Sequence, residues 1–223
     1  MQNNNVSLGN KINDFVQRNR RIIFISMGVI IFLIAGFVVT VSLNEFFNKK
    51  SMGEIEELSR KFTEIKSSLN DGENAAVVQE LITDISNFAK SKRGFAAGRA
   101  WSIVGQIHAE RKEWPQAEEA YRSAAKAAPK TYMAPAALFN AAAASEEQGN
   151  LEQALELYMA CVSHPFEYPA AVRAQFAAGR INEKLNDIPA ALDAYRGVLS
   201  KWPHLTVWAN LANSRIIVLD SSK

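Results

Sequence analysis

The chain has 223 residues, 48% of them hydrophobic and 22% charged, and its 25 basic and 23 acidic side chains nearly cancel to a net charge of +2. Four of the basic residues and one of the acidic ones precede Ile22, so the remainder is near neutral and lacks the broad basic stripe that nucleic-acid binding needs. One cysteine, Cys161, excludes an internal disulfide, and the histidines His108, His164 and His204 show no metal-site spacing. With no glycine-rich phosphate loop and no nucleophile elbow either, no catalytic residue, metal ligand or cofactor is expected, and the partners should be proteins.

Residues 1–21 form a short tail containing Lys11, Arg18, Arg20 and Arg21. From Ile22 to Leu43 the sequence is apolar or small without a charge. At about 1.5 Å per residue this run spans roughly 33 Å as a helix, enough for a bilayer core. A cleavable signal peptide is the rival reading, with Thr40 and Ser42 as the small residues before a cut, but its apolar run is typically about 7 to 15 residues. An uncleaved anchor is therefore expected. The pair Arg20 and Arg21 is read as a topology signal, with twin-arginine export as the alternative. Only Lys49 and Lys50 follow the run closely, so the tail is expected in the cytoplasm and everything after Leu43 outside it.

Residues 44–94 hold a linker and a leading helical hairpin. Ile55, Leu58, Phe62, Ile65 and Leu69 keep helical spacing, Asn70, Asp71 and Gly72 interrupt it, and Val78, Leu81, Ile82, Ile85 and Phe88 resume it. Across 95–204 a 37-residue interval takes over: Ala117 with Tyr121, Ala154 with Tyr158, Ala191 with Tyr195. Glu113, Asn150 and Asp187 align as helix caps, with Pro115 and Pro189 just inside two of the starts. Twelve residues before each Ala stand Gly105, Ala142 and Gly179, small enough for two antiparallel helices to meet closely. Each unit is thus a helix, a turn and a helix, and its Ala and Tyr columns are core. Cys161 shares a small core column with Ala124 and Val198. A final helix, from Thr206 with Val207, Leu211, Ile217 and Val218, caps the array within 205–223.

The first unit reads Trp101, Val104, Gly105, His108, Ala117, Tyr121, Ala124 and Pro129, which resembles the tetratricopeptide repeat at eight signature positions. The third keeps Gly179, Ala191, Tyr195 and Pro203 with Gln175 at the aromatic position, and the second keeps Leu138 and Ala142 with Pro165 displaced by one. A period of 37 rather than the usual 34 puts about three extra residues in each connection, near Thr131 to Ala134 and Glu167 to Ala170. The implied fold is all-α: an N-terminal transmembrane helix followed by an α-solenoid of such hairpins. The layout also resembles single-span, translocon-associated tetratricopeptide proteins of bacterial inner membranes. That resemblance implies an accessory factor at the secretion channel, touching translocated chains or periplasmic chaperones. A permanent structural subunit of an envelope assembly is the alternative, and oligomeric state carries no sequence signal.

In this family the first helix of each unit lines the groove. Its exposed positions here are Arg99, Ser102 and Gln106, then Phe139 and Glu146, then Arg173, Phe176, Arg180 and Glu183. Spacings of three, four and seven put Arg173, Phe176 and Arg180 on one face, a basic and aromatic strip suited to an acidic or apolar peptide. The Lys and Asn clamp by which some members hold a terminal carboxylate is missing, since Ser102 and Gln106 occupy two of its positions. Glu118 with Glu119, and Glu146 with Glu147, read as solvated helix faces.

Overall fold

A computed structural model describes residues 8–69, 74–166 and 169–221, and among these all regular structure is helical. The helices are α1 (Leu8–Ile65), α2 (Ala75–Ser91), α3 (Gly94–Glu110), α4 (Trp114–Ala127), α5 (Met133–Glu147), α6 (Leu151–Val162), α7 (Ala171–Lys184), α8 (Ile188–Lys201) and α9 (Thr206–Asp220). A 3₁₀ turn, Lys66–Ser68, follows α1. The interruption expected at Asn70, Asp71 and Gly72, and the inserted Glu167, lie outside the described residues.

The chain divides into Met1–Lys50 and Ser51–Lys223. In the first unit the apolar side chains described between Ile22 and Val39 are exposed, among them Phe24, Ile30, Phe32, Leu33 and Phe37. No single helix among the described residues is long and apolar enough to cross a membrane, but two consecutive segments, Phe15–Ile22 and Phe24–Val39, bent by 52°, are so together.

In the second unit each helix from α2 onward packs chiefly on its chain neighbours, α3 also reaches α5, and α7 reaches α9. This is the stacking expected of repeats that cannot bury their apolar faces alone. The leading hairpin closes over α3 through Ile55, Phe62, Val78, Ile85, Ile103 and Ile107. Each such side chain contributes about 1.5–3 kcal/mol on burial. Ala117, Ala154 and Ala191 have no exposed surface, and Tyr121, Tyr158 and Tyr195 are buried beside them, so these columns are core.

The small-residue column has a direct steric cause. A Cβ on Gly105 would lie 2.7 Å from Cδ1 of Tyr121, and one on Gly179 would lie 2.6 Å from Cε1 of Tyr195. The helices of those hairpins approach until a Tyr ring lies against bare backbone.

The turns repeat as closely as the cores do. Lys112, Gly149 and Asn186, spaced by the same 37 residues, take positive φ of 59°, 80° and 61°. The following amides, of Glu113, Asn150 and Asp187, donate to the carbonyls of His108, Ser145 and Asn182 at 2.8, 3.0 and 2.9 Å. A left-handed residue thus closes every first helix and satisfies its last carbonyls.

The cap expectation is corrected in part. Glu113, Asn150 and Asp187 do stand at the starts of α4, α6 and α8, but only Asp187 caps with its side chain, accepting from the Ala190 amide at 3.1 Å. Glu113 instead meets His108 Nδ1 at 2.6 Å and accepts from Arg111 Nε at 2.7 Å, so it locks the turn rather than the helix start.

Candidate functional site

Residues of the first helices line two separate hollows. The front one, about 790 Å³, is walled by Phe95, Arg99, Ser102 and Gln106 of α3, Tyr121 of α4, Asn140 of α5 and Tyr132 just before it, with Met52 and Glu56 from the end of α1. Phe95 and Tyr132 form an aromatic pair with centroids 5.8 Å apart. The back one, about 470 Å³, is walled by Phe139, Glu146, Tyr158, Arg173, Phe176, Arg180 and Trp208. The structure therefore brings Arg99, Ser102 and Gln106 together, and separately Phe139, Arg173, Phe176 and Arg180.

Their chemical states differ. In the back hollow every expected residue already has a protein partner. Arg173 stacks over the Phe139 ring with its guanidinium carbon 5.0 Å from the centroid, and Phe139 meets Tyr158 edge-on at 5.4 Å. Phe176 lies between Tyr195 at 5.1 Å and Trp208 at 5.5 Å, packed against the next elements. Arg180 grips Glu146 with both terminal nitrogens, Nη2 donating to Oε2 at 2.7 Å, and Lys184 Nζ adds a third contact at 2.9 Å. These donors, chiefly Arg180, outweigh burial and hold the Glu146 carboxyl down at about 2.

One sequence expectation is overturned by these contacts. Arg180 keeps its place in the hollow but is ion-paired to Glu146 across the α5 and α7 junction. Glu146 is not on a solvated face, since its side chain is largely buried, and Glu118 is likewise buried, bonded by Gln148 Nε2 at 2.9 Å and by Arg122 at 3.4 Å. Both carboxylates found partners on other helices or one turn away, which a helix-face reading of adjacent glutamates does not show. Glu119 and Glu147 are exposed as expected.

The same device recurs at the next junction. Glu183, 37 residues after Glu146, accepts from Arg215 of α9 through Nε at 3.0 Å and through Nη2, and from the Tyr195 hydroxyl. Hydrogen bonding from Arg215 keeps its carboxyl below the usual range. Tyr158 reaches Glu146 in the same sense, its hydroxyl 3.5 Å from Oε2, and burial pushes that phenol up to about 12.

The front hollow has no such ties. Among the described residues Arg99 and Glu56 are in no ion pair, and the side chains of Ser102, Gln106 and Asn140 make no hydrogen bond. Hydroxyl and amide groups of this kind match a peptide backbone, donor for acceptor, and the aromatic walls suit an apolar side chain. Phe95, Tyr132 and Asn140 were not singled out from sequence. Tyr132 lies in the stretch read only as extra connection, where an aromatic among alanines was the available signal.

Comparison with known proteins agrees with the helix positions. The tetratricopeptide repeat family model matches residues 91–130, 105–167 and 162–205, together just over half of the chain. A TPR repeat-containing protein of Treponema pallidum (strain Nichols) is similar, 27% identical over 227 residues that cover 94% of this chain and 93% of the relative. The matched stretch runs from α3 through α8, where glycine meets tyrosine in the first and third hairpins. By that match the chain belongs to the tetratricopeptide repeat family.

Proposed function

We propose that this protein is a membrane-anchored scaffold that holds an extended segment of a partner protein in the front hollow. Repeats of this family mediate protein–protein interaction. The observation that carries the choice of hollow is the set of uncommitted polar groups, Arg99, Ser102, Gln106 and Asn140, around an aromatic-walled space of about 790 Å³. The anchor reading is supported by the exposed apolar side chains between Ile22 and Val39, since leaving each large one in water forgoes about 1.5–3 kcal/mol. Basic residues before that run favour a tail in the cytoplasm of a bacterial cell and repeats on the far side of the inner membrane. In that setting the clients are chains emerging from the secretion channel, or chaperones that meet them there.

The test is site-specific photo-crosslinking of the full chain in native membranes. A benzophenone side chain at Ser102 should capture partner chains, and capture should fall at least several-fold with Arg99→Glu. The same probe at the exposed Glu156 of α6 should capture little. Equal capture from Ser102 and Glu156 would sink the groove reading. Capture from Ser102 of proteins unrelated to secretion would sink the channel assignment alone.

A further inference from the structure

We propose that the outward face of α9 is a homodimer interface, on which a second copy of this chain lays its own α9 in the antiparallel sense. α9 is apolar on two opposite sides. One side, with Trp208, Ala212, Ile216 and Leu219, packs into the core it shares with α7 and α8. The other presents Val207, Leu211 and Ile217 with 67%, 44% and 68% of their surface exposed, and Val218 beside them. Large apolar side chains grouped on one exposed face mark a contact surface, and a solenoid otherwise ends in a polar outer face.

What covers it follows from the polar residues on the same side. At 100° per residue the outward arc holds Val207, Leu211, Ser214, Val218 and Ser221, with Asn210 and Ile217 along one edge. The arc contains neither a carboxylate nor an ammonium group. Arg215, at its other edge, is held by Glu183 of α7. Ser214 Oγ donates to the Asn210 carbonyl at 2.9 Å, and Ser221 Oγ donates to the Val218 carbonyl at 2.9 Å. Both hydroxyl protons are therefore satisfied within the helix, and burying them strands no donor.

Such a face gives a charged partner nothing to pair with and requires an equally uncharged surface. A second α9 supplies one by construction. In an antiparallel pair centred between Ala212 and Asn213, Val207 faces Val218 as apolar against apolar, and Leu211 faces the small Ser214. The two-fold axis then repeats both contacts.

The experiment is the protein mass of the full chain, purified in mild detergent and measured by light scattering on a size-exclusion column. The expected result is twice the chain mass, falling by half in the double variant Val207→Glu with Leu211→Glu and again in Ser214→Arg, each with a helical melting curve like the parent's. Leu211→Met should leave the mass doubled. A single-chain mass for the parent protein overturns the proposal, whether detergent or a different protein then occupies the face. A dimer that survives both charged changes overturns it as well, because the copies would be joined elsewhere.

Discussion

The junction between the first two repeats and the junctions behind it are built from one 37-residue template, yet they hold together differently. Glu146 with Arg180, and Glu183 with Arg215, clamp α5 to α7 and α7 to α9. At the positions one period before Glu146 and Arg180 stand Ala109 and Ala143, so α3 and α5 meet without a charge. The tyrosines follow the same division: Tyr158 and Tyr195 reach those glutamates, while Tyr121 borders the front hollow. A solenoid can therefore vary its function along its length while its core columns stay constant. Where the clamp exists, the groove's polar groups are used up in the fold; where it is missing, they remain open to a partner.

Breaking the clamp should give the largest effect. Glu146→Ala leaves Arg180 and Lys184 without their carboxylate and should cost about 1.5–3 kcal/mol in urea unfolding. Ala109→Ser at the front should change little. Equal losses from both would erase the distinction between the junctions.

Acid should act through the same group. Glu146 ordinarily titrates near 4.5 and in the fold near 2, a lowered value, so its contribution is complete above about pH 4.5 and is lost as pH falls toward 2. Stability measured across that window should decline more steeply in the parent protein than in Glu146→Gln. Parallel curves would assign the acid sensitivity to other carboxylates.

A smaller gain is expected in the first hairpin, whose turn places Lys112 at a φ of 59° where the second hairpin uses Gly149. Lys112→Gly should raise stability by up to about 1 kcal/mol, and Gly149→Ala should lower it by a similar amount. The smallest effect belongs to a transplant. Ala109→Glu with Ala143→Arg moves the clamp forward, and a double-mutant cycle should return a coupling of about 0.5 kcal/mol. It should also reduce capture at Ser102 if α3 and α5 are drawn tighter.

Much of the repeat region is legible in the sequence. The interval of the Ala and Tyr columns placed the hairpins, and the small residues twelve positions earlier marked the close approach of two helices that the structure shows as Gly105 and Gly179 against a tyrosine ring. The candidate site was legible only as a set of positions. Arg173, Phe176 and Arg180 do share a face and a hollow, but the sequence could not show that Glu146, 34 residues away from Arg180, turns inward to bind it. A period says which way a residue points within its own hairpin; it carries no information about the neighbour's side chain. Likewise Glu113 has the position of a cap but lies within reach of His108 and Arg111, and two cationic or donor groups outcompete a backbone amide.

The turns have a consequence for how such a chain can change. Because Lys112, Gly149 and Asn186 return the backbone to one left-handed state at equal intervals, the segment between any two of them is a module with matching ends. A duplication or deletion of 37 residues cut at those points would rejoin helix to helix in register, leaving both flanking hairpins with the partner surface they had. Length in this protein is then a heritable variable that can shift in single steps, and the reach of the repeat array can be reset without redesigning a core.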